Sequence, residues 1–128
     1  MNFLLDTHLL LWVSVAPQRL SRAANELLSD ERNSLTFSAA SIWEIALKNA
    51  LRRAHFSIDT RDLRSQLLEN GYRELDVTGH HAVNVDALPL LHKDPFDRLL
   101  IAQATAEGLT LLTVDDAVAQ YPGPIRRV

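Results

Sequence analysis

The chain has 128 residues, 47% of them hydrophobic, with 13 Lys or Arg against 16 Asp or Glu for a formal charge of -3. That length suits one domain, read over residues 1–128, with its own buried core. The acidic balance argues against a broad basic face for nucleic acid and leaves only local patches, while the absence of cysteine excludes disulfides and thiolate zinc sites.

The first run, MNFLLDTHLLLWVSV, lacks a basic leader region, and Asp6 and His8 interrupt it well short of a membrane span, so the reading is a soluble, cytoplasmic protein with no membrane association. Phe3 to Leu5 predicts a short strand ending at Asp6, and Thr7 is the expected cap of a helix through Leu10, Leu11 and Trp12. Pro17 breaks that pattern, and Ser21 opens a second helix carrying Ala24, Leu27 and Leu28. After a polar loop, Leu35 to Ser38 predicts a second strand. Ser41 and Glu44 then form an S-x-x-E capping signature before a helix with Ile42, Ile45 and Ala46 inward. Glu44, Lys48 and Arg52 recur every four residues and share a face of that helix.

Residues Asp62 to Asn70 resemble a further helix closed by Gly71, and Tyr72 to Val77 a strand with Leu75 and Val77 inward. Thr78 caps a short helix running through Val83 to Leu88 and ended by Pro89. In the stretch HKDPFDRLLIAQATAEGLTLLTVDDA, Asp94 suits an N-cap, Pro95 the first helical position and Asp97 the third, where a carboxylate meets free N–H groups. Phe96, Leu99, Leu100, Gln103 and Ala104 form the buried stripe, and Gly108 ends the helix. Leu109 to Leu112 is too short for a helix and too uniformly apolar for a half-exposed strand, so it reads as central to a parallel sheet. Asp115 and Asp116 follow it. YPGP is turn chemistry, and IRRV predicts an edge strand. Strands alternating with helices give an α/β sandwich, a doubly wound parallel sheet.

Asp6, Glu44, Asp97 and Asp115 would converge if the parallel strands place them at one end of the sheet. Two unit charges about 4 Å apart repel by roughly 4 kcal/mol at an effective dielectric near 20, so four such groups call for protons or a hard cation. All-oxygen ligands favour Mg²⁺ or Mn²⁺, and phosphoryl transfer is the chemistry that ion suits. Each position also has a plainer account. Glu44 could complete a capping box, Asp97 could satisfy the helix dipole, and Asp6 and Asp115 could be turn residues. Lys48 and Arg52 could be a solvated charge ladder or contacts to substrate phosphates, and Arg98 carries the same ambiguity. The five histidines are scattered and read as surface or core groups. Trp12 and Trp43 read as core or dimer contacts rather than stacking platforms.

LLDTHLLLW, SAASIWEIALK, HKDPFDRLLIAQA and LLTVDDA, in that order across nearly the whole chain, resemble the PIN-domain ribonucleases and in particular the VapC toxins of toxin-antitoxin pairs. The resemblance implies a PIN-like sandwich, with a five-stranded parallel sheet flanked by helices. It also implies an Mg²⁺- or Mn²⁺-dependent RNA-hydrolysing site at Asp6, Glu44, Asp97 and Asp115, with Thr113 as the hydroxyl beside the last acid. Asp94 and Asp116 are neighbouring acids whose roles it leaves open. A homodimer is implied, and a VapB-type antitoxin that inhibits it and assembles with it into a heterotetramer or larger. Two other classes fit parts of the pattern. A phospho-acceptor signalling domain would need its acid pair early and a lysine after a late strand, and a non-catalytic PIN-fold module would keep the fold as a binding surface.

Overall fold

The computed structural model describes residues 1–51 and 58–128, so Arg52 lies outside the described residues. Along the chain run β1 (Asn2–Leu5), α1 (Thr7–Val15), α2 (Arg22–Ser29), β2 (Ser34–Ser38), α3 (Ala39–Ala50), α4 (Thr60–Glu69) and β3 (Arg73–Leu75). They are followed by α5 (Gly79–Asn84), α6 (Pro95–Glu107), β4 (Thr110–Thr113), α7 (Asp116–Ala119) and β5 (Ile125–Arg127). Single 3-10 turns occupy Pro17–Arg19 and Val85–Ala87. The strands form one five-stranded sheet in the order β3-β2-β1-β4-β5, parallel throughout. This is the expected flanked parallel sheet.

The two central strands β1 and β4 have apolar, fully buried centres because both faces of the sheet are covered there. Side chains alternate across a strand, so Phe3 and Leu5 enter one core with Leu9, Leu10, Phe37, Ile45, Leu63, Leu67 and Leu112. Leu4 enters the other with Leu100, Ile101, Ala104, Leu111, Val118 and Tyr121. Gln103 is fully buried on the expected stripe of α6, and Gly108 closes that helix with a left-handed φ of +69°.

Several local expectations change. Asp6, not Thr7, caps α1, its carboxylate accepting from the Leu9 N–H. α3 starts at Ala39 under a Ser38 cap, because β2 turns into the helix without a loop. Ser41 and Glu44 therefore do not make a capping box. The Ser41 hydroxyl instead accepts from the Thr7 hydroxyl at 2.9 Å, joining α1 to α3, and Glu44 falls in the second helical turn. The helix expected from Asp62 starts at Thr60 on an Asp59 cap. β3 stops at Leu75, which leaves Val77 exposed, and α5 gives way to the 3-10 turn after Asn84, with Val83 in solvent. Trp43 is not core: its indole is 62% exposed and packs edge-on against Phe96, with ring centroids 5.0 Å apart. Among the described histidines His81 is the buried one, bonded through Nε2 to Glu107. No described helix is long and apolar enough to cross a membrane.

Leu4→Ala should cost about 2–5 kcal/mol by opening a cavity in a core that cannot collapse. Val83→Ala, in solvent, should stay within about 0.5 kcal/mol of the parent. Urea denaturation of the two variants checks the burial pattern directly.

Candidate active site at the carboxyl edge of the sheet

The chain runs outward from β1 to β2 and β3, then returns to lay β4 on the other side of β1. The connections leaving β1 and β4 thus diverge, and the crevice between them is where an open α/β sheet binds ligands. Register places Leu5 opposite Leu112, and the Asp6 N–H donates to the Leu112 carbonyl at 2.9 Å, so Asp6 and Thr113 leave the sheet side by side. Helix α6 enters β4 through the tight turn at Gly108, which brings its N-terminal end, with Asp94 and Asp97, back to the same edge. α3 follows β2 directly and carries Glu44.

Asp6 is buried and held on all sides. Oδ1 accepts from the Leu9 N–H at 2.8 Å, and Oδ2 accepts from the Thr113 hydroxyl at 2.5 Å and the Val114 N–H at 3.3 Å. Burial still drives its pKa above the ordinary carboxylate value, against the lowering effect of those bonds and of nearby His8. Glu44 is also buried. Its Oε2 accepts from Lys48 Nζ at 2.8 Å, while Oε1 has no hydrogen-bond partner among the described residues. An unpaired buried carboxylate oxygen is costly unless something cationic or protic meets it.

Asp97 carries the electrostatic signature of the site. Desolvation, reinforced by the negative charges of Asp94, Glu44 and Asp6 and only partly offset by a hydrogen bond with His92, raises its pKa from 3.8 to about 6. The structure thus brings Asp6, Glu44, Asp94 and Asp97 within electrostatic reach of one another. Asp94 Oδ1 caps α6, accepting from the Phe96 and Asp97 N–H groups at 2.9 and 3.1 Å. Asp115 joins more loosely. Its N–H donates to the Thr113 hydroxyl at 3.0 Å, which links it to Asp6, while its own carboxylate caps α7 by accepting from the Ala117 N–H.

The remaining expected residues separate. Asp116 is exposed and ion-pairs with Arg127 of β5, away from this cluster. Arg98 spends its donors internally, on the Pro89 carbonyl at 2.9 Å, the Val85 carbonyl at 3.3 Å and the Tyr121 hydroxyl at 3.2 Å, so it holds a loop rather than presenting a charge to a phosphate. Lys48 sits at the rim on Glu44. Sequence reasoning passed over His92, whose Nε2 lies 2.9 Å from Asp97 Oδ2, because a single loop histidine carries no spacing signal. The donor set fits a hard divalent ion. Carboxylates converge, one buried oxygen lacks a partner, and their mutual repulsion would be relieved by a cation.

Residues 3–124 match the family model of the PIN domain. The chain is 34% identical over 122 residues to Ribonuclease VapC22 of Mycobacterium tuberculosis, covering 94% of this chain and 92% of that protein. Among solved structures it is similar to VapBC2 from Rickettsia felis bound to a DNA fragment from their promoter, with a TM-score of 0.72 at 17% identity over 99% of this chain and 98% of that one. It is also similar to VapC20 of Mycobacterium tuberculosis, a Sarcin-Ricin loop cleaving toxin, with a TM-score of 0.60 at 15% identity over 91% and 92% of the two chains.

Asp97 binds its proton more tightly when folded than when unfolded, so its contribution favours the folded state at low pH. That contribution is lost as pH rises from 3.8 to about 6 and stays lost above. Without divalent cation, Asp97→Asn should abolish this slope and stabilise the protein at neutral pH by on the order of 2 kcal/mol. Denaturation midpoints measured below, within and above that window check both the sign and the size.

Proposed function

The chain belongs to the PIN-domain family, and from that premise we propose that it is a metal-dependent ribonuclease that hydrolyses RNA phosphodiesters. The observation that carries this reading is the set Asp6, Glu44 and Asp97 gathered at the switch point of the sheet, with Glu44 Oε1 buried and without a partner among the described residues. Asp6, Glu44, Asp97 and Asp115 would hold Mg²⁺ or Mn²⁺, the Asp115 N–H donating to the Thr113 hydroxyl that in turn donates to Asp6. Such an ion would supply Lewis-acid polarisation of the phosphodiester and a more acidic water for in-line attack.

The chain's own groups prepare that chemistry. The Thr113 hydroxyl and the Leu9 and Val114 N–H groups fix the Asp6 carboxylate in one orientation, so little reorganisation is needed when cation and substrate arrive. Lys48 balances the charge on Glu44 and, half-exposed at the rim, is placed to meet a substrate phosphate. A cleft open at a sheet edge admits single-stranded or loop RNA more readily than a stacked helix.

The chain acts as the toxin of a type II toxin-antitoxin system. It is neutralised by a VapB-type antitoxin and works in the cytoplasm as a homodimer that forms a heterotetramer or larger assembly with that antitoxin. The support is the family membership, the 34% identity to a ribonuclease of the VapC class and the fold shared with proteins solved as VapBC complexes.

Purified protein incubated with total RNA and Mn²⁺ should cleave, and chelator should stop it. Asp6→Asn and Asp97→Asn should each lower the rate by roughly 10²-fold or more while leaving the circular dichroism spectrum intact. Full activity in either variant rejects the assignment. Lys48→Ala should weaken RNA binding and flatten its dependence on salt; unchanged affinity across ionic strengths removes Lys48 from the interface.

A further inference from the structure

The cluster does not consist of oxygen donors alone. One ligand atom each from His92, Asp94 and Asp97 lie within 4.8 Å of one another, all three residues half-buried. Among the described residues, no group this tight includes Asp6, Glu44 or Asp115. Asp94 uses Oδ1 as the helix cap, and its Oδ2 takes no part in that role. The triad and the Asp6–Glu44 pair therefore meet at Asp97 without coinciding.

The main chain of His92 is gripped from both sides. Its N–H donates to the Tyr121 hydroxyl at 2.8 Å, and that hydroxyl donates back to the His92 carbonyl at 3.0 Å. Tyr121 is buried and also accepts from Arg98, whose guanidinium ties down Pro89 and Val85 on the same connection. Two side chains, Tyr121 and Arg98, thus hold the loop that carries His92, whose imidazole lies against Asp97. That grip on the main chain limits where the imidazole can reach.

We propose that His92, Asp94 and Asp97 form a second cation position beside the all-oxygen one, with Asp97 shared between them. The nitrogen donor makes this position select Mn²⁺, Co²⁺ or Zn²⁺ over Mg²⁺, which binds oxygen and dehydrates reluctantly. His92 Nε2 lies 2.9 Å from Asp97 Oδ2. A neutral imidazole that ligates through Nε2 carries its ring proton on Nδ1. Tyr121 is a positioning residue, acting only through the His92 backbone. The inference rests on the acidic-site reading above for its shared ligand, Asp97.

The test is calorimetric and visible-absorption titration of metal-stripped protein with Co²⁺ and, separately, with Mg²⁺. The parent should take up an additional equivalent of Co²⁺ that Mg²⁺ does not fill. His92→Gln should lose that equivalent and its nitrogen-dependent absorption while binding Mg²⁺ as the parent does. Asp6→Asn should do the reverse, weakening Mg²⁺ and retaining the His92-dependent Co²⁺ band. Tyr121→Phe should weaken the Co²⁺ position by about 10–100-fold, and His80→Gln, on the exposed side of α5, should change nothing. If His92→Gln keeps the parent's Co²⁺ stoichiometry and spectrum while Asp6→Asn loses Mg²⁺, the imidazole merely orients Asp97 and this inference falls while the ribonuclease site stands. If neither cation binds the parent, both fall.

Discussion

Everything at the carboxyl edge of the sheet depends on how the ends of β1 and β4 are joined. A backbone hydrogen bond from Asp6 to Leu112 and a side-chain bond from Thr113 to Asp6 fasten two strands that are neighbours in space but far apart in the chain. The Asp6 carboxylate is at once the cap of α1 and the acceptor for β4's last hydroxyl. Moving it would open the crevice, unseat the first helix and release the loop that leads to Asp115. In the proposed function, stability and chemistry draw on the same oxygen atoms, and a substitution here must keep its shape to be informative about its charge.

The edge is also where the fold accepts electrostatic cost. Buried carboxylates close to one another oppose folding, and the chain answers with a small number of local offsets. Lys48 meets one oxygen of Glu44, His92 meets one oxygen of Asp97, and peptide N–H groups meet Asp6 and Asp94. These offsets are incomplete, as the unpaired Oε1 of Glu44 and the raised pKa of Asp97 both record. A structure that stops short of neutralising its own site keeps free energy in reserve for a cation.

Much of this was legible in the amino-acid order because the relevant physics is local. Short apolar strands bounded by aspartates and followed by helical spacing specify a parallel sheet covered on both faces. The Asp-Pro-x-Asp start of α6 specified its cap without ambiguity. Where local patterns have two physical origins, the reading divided. Ser41 and Glu44 have the spacing of a capping box, but the tighter passage from β2 into α3 moved the cap to Ser38 and freed Glu44 for the cleft. Arg98, next to an acid, looks the same in sequence whether it meets phosphate or carbonyl oxygens; only the path of residues Val85 to Pro89 decides it. Tyr121 and His92 were beyond reach, since their bond spans 29 positions and neither belongs to a periodic pattern.

The Thr113 to Asp6 bond spans 107 positions, and order of synthesis gives that distance a meaning. A polypeptide emerging from the ribosome N-terminus first presents Asp6 and Glu44 long before β4 exists to close the crevice around them. Contacts so distant along the backbone form late in folding. The crevice is therefore assembled only after β4, far along the chain, has been made.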